Sequence, residues 1–308
     1  MSDLPLVSIC CLTYNHEPFI RKCLDGFLMQ ETNFPIEILI HDDASTDGTD
    51  EIIKEYAEKY PCLILPLFES ENQYSKGKQN EIDFFNYRRA RGKYIAYCEG
   101  DDYWTDPLKL QKQVDFMESH PDYSICFHRC KYLDVKTGIY HDDSCSSILS
   151  GHLEGVDISL SDYFHQWITQ PLTMVFRKSS FRFEWQAQYH YYRDYHEIYH
   201  LLKTGRGFLF SFCGGVYIKH PGGITANDER HNRSVALAIA KELYSNNRDN
   251  PTKRNYENVL SWNISSDLYS VTERLKMSIV LLLLNKRIKL FGKSLIILLS
   301  HPRAVQNY

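Results

Sequence analysis

A cluster of carboxylates stands where an apolar segment ends. The stretch "YCEGDDYW", residues 97–104, places Glu99, Asp101 and Asp102 within four residues, directly after the apolar run "YIAYC". One explanation is structural, since Asp and Gly are common in turns and acids favour helix N-termini. The other is chemical, because carboxylates gathered at a strand end can hold a hard divalent cation, Mn²⁺ or Mg²⁺, that neutralises a phosphate-bearing ligand.

Short apolar segments alternate with helical patterns along the first half of the chain, which predicts βαβ units and a mostly parallel sheet. The carboxyl ends of parallel strands meet at a common ligand crevice, and each predicted strand ends at a polar turn. This recurrence favours the cation-binding explanation. The strands and their turns are "LVSICCLTY" with "TYNHE", "IEILIHD" with "HDDASTDGT", "CLILPLF" with "SENQYSKGKQN", and "KYIAYC" with "CEGDDYW".

Five ordered motifs resemble those of the family-2 glycosyltransferases, which have the GT-A fold. They span roughly residues 5 to 225 and are "VSICCLTYNHEPFIRKCLDGFLMQ", "EILIHDDASTDGT", "GKYIAYCEGDDYWTDPLKLQKQVDF", "RDYHEIYHLLKTG" and "VYIKHPGGIT". The resemblance implies an α/β fold with a Rossmann-like, mostly parallel sheet flanked by helices. It also implies inverting transfer of a sugar from a nucleoside diphosphate sugar, with UDP or dTDP as the nucleotide, to a glycan or lipid-linked acceptor hydroxyl in surface polysaccharide synthesis.

The resemblance assigns roles around a metal-bound diphosphate. Asp101, with Asp102 as a second candidate, and His220 would bind the cation, while Asp43 would accept a hydrogen bond from the base. This chain departs from the family pattern at Glu99, where relatives have Asp, and in "YIKH", which replaces the commoner Tyr-Arg-x-His. Lys219 of this segment would supply charge near the diphosphate. The predicted donor-binding residues are Thr13, Tyr14, Asn15, Glu17, Asp43, Lys76, Glu99, Gly100 and Asp102.

Two lysines follow the third predicted strand. Lys76 and Lys78, in "YSKGK", would attract a diphosphate electrostatically, and a solvated loop explains them equally well. Four tryptophans and a group of tyrosines offer rings that stack on sugar faces, although ordinary core packing accounts for each ring individually. The tryptophans singled out as acceptor contacts are Trp104, Trp167 and Trp185.

Inverting transfer needs a carboxylate that deprotonates the acceptor hydroxyl as it attacks. Asp194, in "YYRDYHEIY", matches the family's catalytic aspartate and stands before an amphipathic helix among tyrosines. A simple helix-capping role is the alternative. Glu197 is the nearest rival base, and Arg193 is interpreted as a structural ion-pair partner.

Other chemistries have weaker support. Cys126, His128 and Cys130, in "CFHRC", would share one face of a strand, but a second ligand cluster at zinc spacing is lacking. A nucleotidyltransferase would have a glycine-rich, basic loop after the first strand, and "TYNHEPF" is neither. A catalytically silent nucleotide-sugar binding or assembly protein remains an alternative that intact Asp101 and Asp194 argue against.

The sequence predicts two domains among its 308 residues. Residues 1–225 form the GT-A domain, with a nucleotide-sugar-binding half at 1–127 and an acceptor-binding half at 128–225, and residues 226–308 form a helical extension. The net charge of −4 gives no reason to expect nucleic acid, and from Val271 onward seven basic residues face one acid. That tail fits either peripheral contact with the inner face of a membrane or packing against the domain or a second subunit in a homodimer.

Nine scattered cysteines, most in apolar runs, and an N-terminus without a secretory pattern indicate a cytoplasmic protein.

Overall fold

The computed structural model describes residues 4–78, 82–165, 170–190, 192–223 and 228–285. The chain divides into two compact units, Met1–Ala226 and Asn227–Tyr308. Trp167 and the basic tail residues Lys286, Lys289 and Lys293 lie outside the described residues, so their predicted contacts stay predictions.

The first unit is built on one twisted sheet whose ten described strands follow the order β3-β2-β1-β4-β9-β6-β10-β5, with β7 paired to β6 and β8 paired to β10. The pairs β1/β2, β2/β3, β1/β4 and β6/β10 are parallel. The strands are β1 Val7–Thr13, β2 Ile36–Asp42, β3 Ile64–Phe68, β4 Tyr94–Tyr97, β5 Tyr103–Trp104, β6 Tyr123–Asp134, β7 Ile139–Asp142, β8 Gly155–Ile158, β9 Val175–Arg177 and β10 Arg206–Lys219.

Six α-helices flank this sheet in the described part of the unit. Alternating strand and helix follow from the sequence, because apolar residues recur at helical spacing between fully apolar strands. In α1, for example, Ile20, Cys23, Leu24 and Phe27 lie on one face and are buried. The helices are α1 Glu17–Leu28, α2 Thr49–Lys59, α3 Ile82–Arg89, α4 Lys109–Ser119, α5 Leu160–His165 and α6 Asp194–Thr204.

The main hydrophobic core lies between the first strands and these helices. Val7, Ile9 and Cys11 of β1 are fully buried, as are Ile38 and Ile40 of β2. Burial of strands at this depth fixes the register of the parallel sheet, because a slip of one residue would exchange its two faces. The polar turns at the carboxyl ends of β1, β2 and β4 therefore have fixed positions.

Strand β10 brings together two segments of the sequence. The family motif "VYIKHPGGIT" does not indicate how far this strand extends, because "GFLFSF" and "VYIK" belong to one strand that runs through Gly214 and Gly215. Its register against β6 shifts on both sides of Cys213. A Cβ at Gly215 would approach Leu172 Cδ1 to 2.6 Å, so a larger residue would not fit there. The strand brings the following His220 to the acidic turn.

The second unit is helical where it is described. It contains α7 Glu229–Asn247, α8 Asn250–Ile264 and α9 Val271–Leu284, packed around Ala240, Tyr256, Leu260, Tyr269 and Met277. Each helix begins with a capping side chain, Asp228, Asp249 or Ser270. None of the helices within the described ranges is long and apolar enough to cross a bilayer.

Candidate active site

The site begins at Asp101, in the turn between β4 and β5. Its Oδ2 lies 2.9 Å from Nε2 of His220, which directly follows β10. The same oxygen lies 3.8 Å from Nε2 of His16, in the turn after β1. Three segments that are distant in sequence therefore converge on one carboxylate, and sequence reasoning had already placed Asp101 and His220 in one site.

Asp102 is more deeply buried than Asp101. Its side chain is 1% exposed, and Oδ1 accepts a hydrogen bond of 2.8 Å from the backbone N–H of Ile218 in β10. Burial raises the pKa of Asp102 well above its usual range, and the neighbouring charges of Asp101 and Glu99 raise it further. Asp102 thus fastens the acidic turn to β10.

The pKa of Asp101 shifts in the opposite direction to that of Asp102. Burial alone would raise its pKa, but the hydrogen bond from His220 and the charge of His16 outweigh burial and hold the pKa of Asp101 below its usual value. Burial in turn lowers the pKa of the His16 imidazole. The turn therefore presents an ionised carboxylate beside imidazole nitrogens, which is a suitable donor set for a divalent cation.

Two carboxylate oxygens support a metal at this position. Asp101 Oδ1 and Asp102 Oδ2 are buried and have no hydrogen-bond partner within the described ranges. Two sets of three residues bring potential ligand atoms within 4.8 Å of one another. These are His16, Asp101 and His220, and Glu99, Asp101 and Asp102. A divalent ion would satisfy oxygens that are otherwise costly to bury, so the residues present fit such an ion.

Gly100, in the acidic turn, lies too close to neighbouring side chains to carry a side chain of its own. Its N–H donates to the carbonyl of Leu12 at 2.9 Å, which joins the acidic turn to β1. A Cβ at this position would lie 2.8 Å from Thr13 Oγ1 and 3.0 Å from His16 Nδ1. The close approach keeps Thr13 and His16 beside the carboxylates.

Asn15 connects the turns after β1 and β2. Its N–H donates to Ser45 Oγ at 2.9 Å, and its Oδ1 accepts from the N–H of Thr46 at 2.7 Å. The residue has a φ of 55°, a left-handed conformation that Asn adopts more readily than most residues. Asn15 therefore shapes the loop that was predicted to bind the nucleobase.

Glu17 forms a second link between the same turns. Its Oε2 accepts from the N–H of Gly48 at 3.1 Å, while its own N–H donates to Asp47 Oδ2 at 3.1 Å. Asp47 also accepts from the backbone and hydroxyl of Thr49, at 3.0 and 2.5 Å. Side-chain to backbone hydrogen bonds therefore join the two turns at several points.

Asp43 is buried directly after β2. Its Oδ1 accepts from the N–H of Gln73 at 2.7 Å and its Oδ2 from the N–H of Tyr74 at 3.1 Å. Nearby, Tyr14 is 42% exposed and lines a cleft of about 490 Å³ together with Phe68 and residues of the two turns. Each carboxylate oxygen of Asp43 can still accept a second hydrogen bond.

The lysines of the predicted phosphate region are on the surface. Lys76 forms an ion pair with Glu71, and both side chains are about half exposed. Lys78 is exposed as well. Lys219 is exposed, and its Nζ lies 4.8 Å from the centroid of the Tyr132 ring. In the described ranges, the ion-pair partners of Asp101 are His16 and His220 and none of these lysines.

The two candidate bases on α6 have different environments. Asp194 is the first residue of the helix, half-buried, and accepts a hydrogen bond of 2.8 Å from the N–H of Tyr195. Arg193 is the N-cap residue. Glu197, one turn later, is 2% exposed and accepts from the Tyr87 hydroxyl at 3.1 Å. Asp194 is therefore the more accessible carboxylate.

The described tryptophans that were considered as sugar contacts are core residues. Trp104 is 2% exposed, and its Nε1 donates to the carbonyl of Leu172 at 2.9 Å. Trp185 is also buried and stacks on His200, with ring centroids 4.6 Å apart. Ordinary packing, the alternative weighed for both rings, therefore explains them.

The zinc hypothesis gains no support. Cys126, His128 and Cys130 are buried in β6, and His128 Nδ1 lies 2.8 Å from the carbonyl oxygen of Arg129. They are absent from the ligand sets found among the described residues.

His16 was missed by the sequence interpretation. It stands in the quoted turn "TYNHE", but a lone imidazole in a turn has no spacing that indicates a ligand. The available signal was its position at a strand end, beside the residues assigned to the nucleobase. Only the fold shows that this turn contacts Asp101.

Comparison with known proteins gives the context of this geometry. Rv1520, an uncharacterized protein of Mycobacterium tuberculosis, is 40% identical over 172 residues, which are 56% of this chain and 47% of the relative. TuaG of Bacillus subtilis, named provisionally as a teichuronic acid biosynthesis glycosyltransferase, is 35% identical over 113 residues, 37% of this chain and 42% of TuaG. The chain spans about half the length of the curated relatives it matches.

Solved structures share the fold at low identity. TarS of S. aureus (residues 1–349), in complex with UDP-GlcNAc, has a TM-score of 0.60 at 18% identity, covering 82% of this chain and 71% of TarS. The mannosyltransferase PcManGT from Pyrobaculum calidifontis, in complex with GDP-Man and Mn²⁺, has a TM-score of 0.55 at 16% identity, covering 98% of this chain and 82% of PcManGT. The predicted GT-A fold is confirmed. Residues 8–185, more than half of the chain, match the family described as "Glycosyl transferase family 2". The chain therefore belongs to this family.

Proposed function

We propose that the protein transfers a sugar from a nucleoside diphosphate sugar to an acceptor hydroxyl, with inversion at the anomeric carbon. One observation carries this proposal: Asp101 Oδ2 lies 2.9 Å from His220 Nε2, and two neighbouring buried oxygens, Asp101 Oδ1 and Asp102 Oδ2, lack hydrogen-bond partners in the described structure. The turn stands at the carboxyl end of parallel strands, where α/β sheets bind nucleotides. Family membership supports the same activity.

Asp101 and His220 would hold the divalent cation, with Glu99 and Asp102 adjacent to it. When bound, Mn²⁺ or Mg²⁺ would neutralise the diphosphate and stabilise it as a leaving group. The fixed position of Asp102 on the N–H of Ile218 keeps the turn in place for this binding. The Mn²⁺ in the PcManGT complex supports a divalent ion, and the donor set of this chain agrees with it.

The linked turns after β1 and β2 would receive the nucleoside. Tyr14 lines the adjacent cleft, and its exposed ring is available to stack on a base. Asp43 would accept a hydrogen bond from the base while its backbone partners hold it in position. UDP or dTDP is the nucleotide that we expect. TarS is solved with the pyrimidine donor UDP-GlcNAc and PcManGT with the purine donor GDP-Man, so both neighbours support a nucleoside diphosphate sugar of either base class.

Asp194 would act as the general base. Its carboxylate would take the proton of the acceptor hydroxyl while the acceptor oxygen attacks the anomeric carbon and the bond to the diphosphate breaks. A single displacement of this kind inverts the anomeric configuration. The half-buried position of Asp194 at the start of α6 supports this choice, because the rival Glu197 is buried against Tyr87.

The acceptor would be a glycan or a lipid-linked saccharide in surface polysaccharide synthesis. The provisional name of TuaG supports this class. If the tail contacts a membrane, the contact would be made by residues after 285. Apolar residues of α9 already pack within the second unit, namely Met277, Val280, Leu281 and Leu284. A cytoplasmic location and a homodimer stay predictions.

Calorimetry with wild-type protein and Asp101→Ala tests the metal and the nucleotide together. UDP, dTDP and GDP are titrated with and without Mn²⁺. We expect wild-type protein to bind one pyrimidine nucleotide tightly only with Mn²⁺, and the variant to lose this dependence. Asp115→Ala, which removes an exposed carboxylate on α4, is the matched control. Equal binding by Asp101→Ala and wild-type protein would contradict the proposal.

A further inference from the structure

We propose that His16 is a third ligand of the same cation, so that two imidazoles and one carboxylate bind the ion and select a transition metal over Mg²⁺. This inference rests on the proposed function, because it assumes that the ion binds at Asp101. It adds a ligand and a metal preference that the sequence motifs do not indicate.

The distances agree with a single ion. His220 Nε2 and His16 Nε2 lie 2.9 and 3.8 Å from the same oxygen, Asp101 Oδ2, and the three ligand atoms lie within 4.8 Å of one another. For metal–ligand bonds of about 2.1 Å, adjacent donors of an octahedron are about 3 Å apart and opposite donors about 4.2 Å apart. The observed separations need only small side-chain movements to reach these values.

The His16 imidazole is held where such a ligand is needed. Its backbone N–H donates to Thr49 Oγ1 at 2.8 Å, and its side chain is only 16% exposed. Its ring packs against Gly100 and meets the ring of His220 edge to face, with centroids 6.2 Å apart. Immobilisation before binding reduces the entropy that a ligand loses when the ion arrives.

The alternative arrangement uses oxygen ligands alone. Glu99, Asp101 and Asp102 form that set, and it shares Asp101 with the histidine set. In the oxygen set, Asp102 would offer only Oδ2, because its Oδ1 accepts from the N–H of Ile218. Three carboxylates would also exceed the charge of a divalent ion before any diphosphate binds, whereas the histidine set has one carboxylate. In the histidine set, both Nε2 atoms face one oxygen of Asp101. We therefore assign the ion to the histidine side.

The two arrangements predict different metal preferences. Mg²⁺ favours oxygen ligands in regular octahedral geometry, whereas imidazole nitrogens suit first-row transition ions. A site with two imidazoles should bind Mn²⁺ and, more tightly, Co²⁺ in preference to Mg²⁺. An all-oxygen site would show little advantage of Co²⁺ over Mn²⁺ from nitrogen ligation.

Electron paramagnetic resonance of Mn²⁺ bound to the full chain tests this assignment without any activity measurement. Free and bound Mn²⁺ are counted in a titration, and pulsed spectra count the nitrogen nuclei coupled to the ion. We expect two coupled imidazoles in wild-type protein and one in His16→Gln. We also expect the Kd for Mn²⁺ to rise by about 10- to 100-fold in His16→Gln, with a smaller change for Mg²⁺ measured by competition.

Three further variants distinguish the possible failures. His120→Gln replaces an exposed histidine and should leave both the Kd and the spectrum unchanged. If His16→Gln matches wild-type protein while Glu99→Gln loses Mn²⁺ affinity, the ion lies on the oxygen side and the inference is wrong. If Asp101→Ala also binds Mn²⁺ as wild-type protein does, the metal assignment under the proposed function fails instead.

Discussion

The predicted nucleotide-sugar-binding half of the first unit (residues 1–127, the donor half) and its predicted acceptor-binding half (residues 128–225, the acceptor half) are held together by different contacts. In the donor half, Asn15, Glu17 and Asp47 join two turns through side-chain to backbone hydrogen bonds. In the acceptor half, α5 and α6 are joined by rings, with Phe164 and Tyr195 5.6 Å apart between centroids and Trp185 stacked on His200. The first arrangement depends on donor and acceptor positions, and the second depends on shape.

This difference is suited to two kinds of ligand. All donor sugars that are carried on one nucleotide share its base, ribose and diphosphate. A pair of hydrogen-bonded turns can therefore recognise these polar groups whatever the sugar is. Aromatic packing tolerates changes in neighbouring side chains more readily than a hydrogen-bond network does. If acceptors bind in the predicted acceptor half, this packing would let their binding site change specificity while the donor half stays constant.

The largest expected effect is a loss of sugar transfer without a loss of donor binding. Asp194→Asn removes the proposed base without changing side-chain size, so transfer should fall by about 10²- to 10⁴-fold. Donor Kd should stay unchanged, because Asp194 lies at the start of α6 in the acceptor half. Product formation and calorimetry measure the two quantities. Near-normal turnover by Asp194→Asn, with a large loss in Glu197→Gln, would move the base to Glu197.

A buried lysine in the donor half gives the next effect. Lys109 in α4 is fully buried 3.7 Å from the Trp104 ring centroid, and its Nζ has no hydrogen-bond partner in the described chain. Burial lowers its pKa from 10.5 to about 7. Between these values the unfolded chain binds a proton that the folded chain does not, so stability rises with pH.

Lys109→Met should therefore be more stable than the parent, by about 1–4 kcal/mol near pH 7, because methionine needs no charge or partner in the core. The advantage should shrink by about 1.4 kcal/mol for each pH unit from 8 to 10. Urea unfolding of both proteins across this pH range measures it. If the stability advantage of Lys109→Met does not depend on pH, Lys109 does not titrate as described. Donor Kd should be the same in Lys109→Met and in the parent protein.

A matched pair of aspartates tests the hydrogen-bonded turns. Asp47→Ala removes acceptors for Glu17 and Thr49, and should lower the free energy of unfolding by about 1–3 kcal/mol. Donor Kd should rise several-fold because the turns loosen. Asp162→Ala removes similar bonds to Ser159 in the acceptor half and should affect stability without weakening donor binding. Equal effects of both variants on donor Kd would remove the distinction between the halves.

The smallest effect concerns the exposed pair of Lys76 and Glu71. Lys76→Ala should change the free energy of unfolding by less than about 0.5 kcal/mol, because exposed ion pairs stabilise weakly. If Lys76 meets the diphosphate, donor Kd should rise by about threefold at low salt and by less at high salt. Lys136→Ala, which removes an exposed lysine after β6, is the control. If Lys76→Ala and wild-type protein have the same donor Kd at low salt, Lys76 does not contribute to donor binding.

Sequence reasoning predicted the donor half better than the acceptor half for physical reasons. Apolar strands with polar ends follow from local composition, so β1, β2, β3 and β4 and their turns could be predicted. His16 could not, because its role depends on Asp101, which is distant in sequence and close only in the fold. The full length of strand β10 is also hard to predict, because glycine in a strand interior weakens the strand pattern at Gly214 and Gly215.

Packing also changed several local interpretations. The ring of Trp104 was considered near a sugar, but its indole N–H is used by the carbonyl of Leu172. Helix α3 escaped prediction, yet it places Asn86 on the carbonyl of Cys11 and Tyr87 on Glu197. Such contacts depend on tertiary structure, and no periodicity in the sequence indicates them.

The pairing of β10 with β5 has a consequence for folding. Val216 pairs with Tyr103 and Gly215 with Trp104, directly beside Asp101. Asp101 and His220 are 119 residues apart in the chain, so this contact closes a long loop and should form late. During synthesis, the acidic turn emerges well before the strand that completes it. The cation could then bind with both Asp101 and His220 as ligands only after β10, the last described strand along the chain, has joined the sheet.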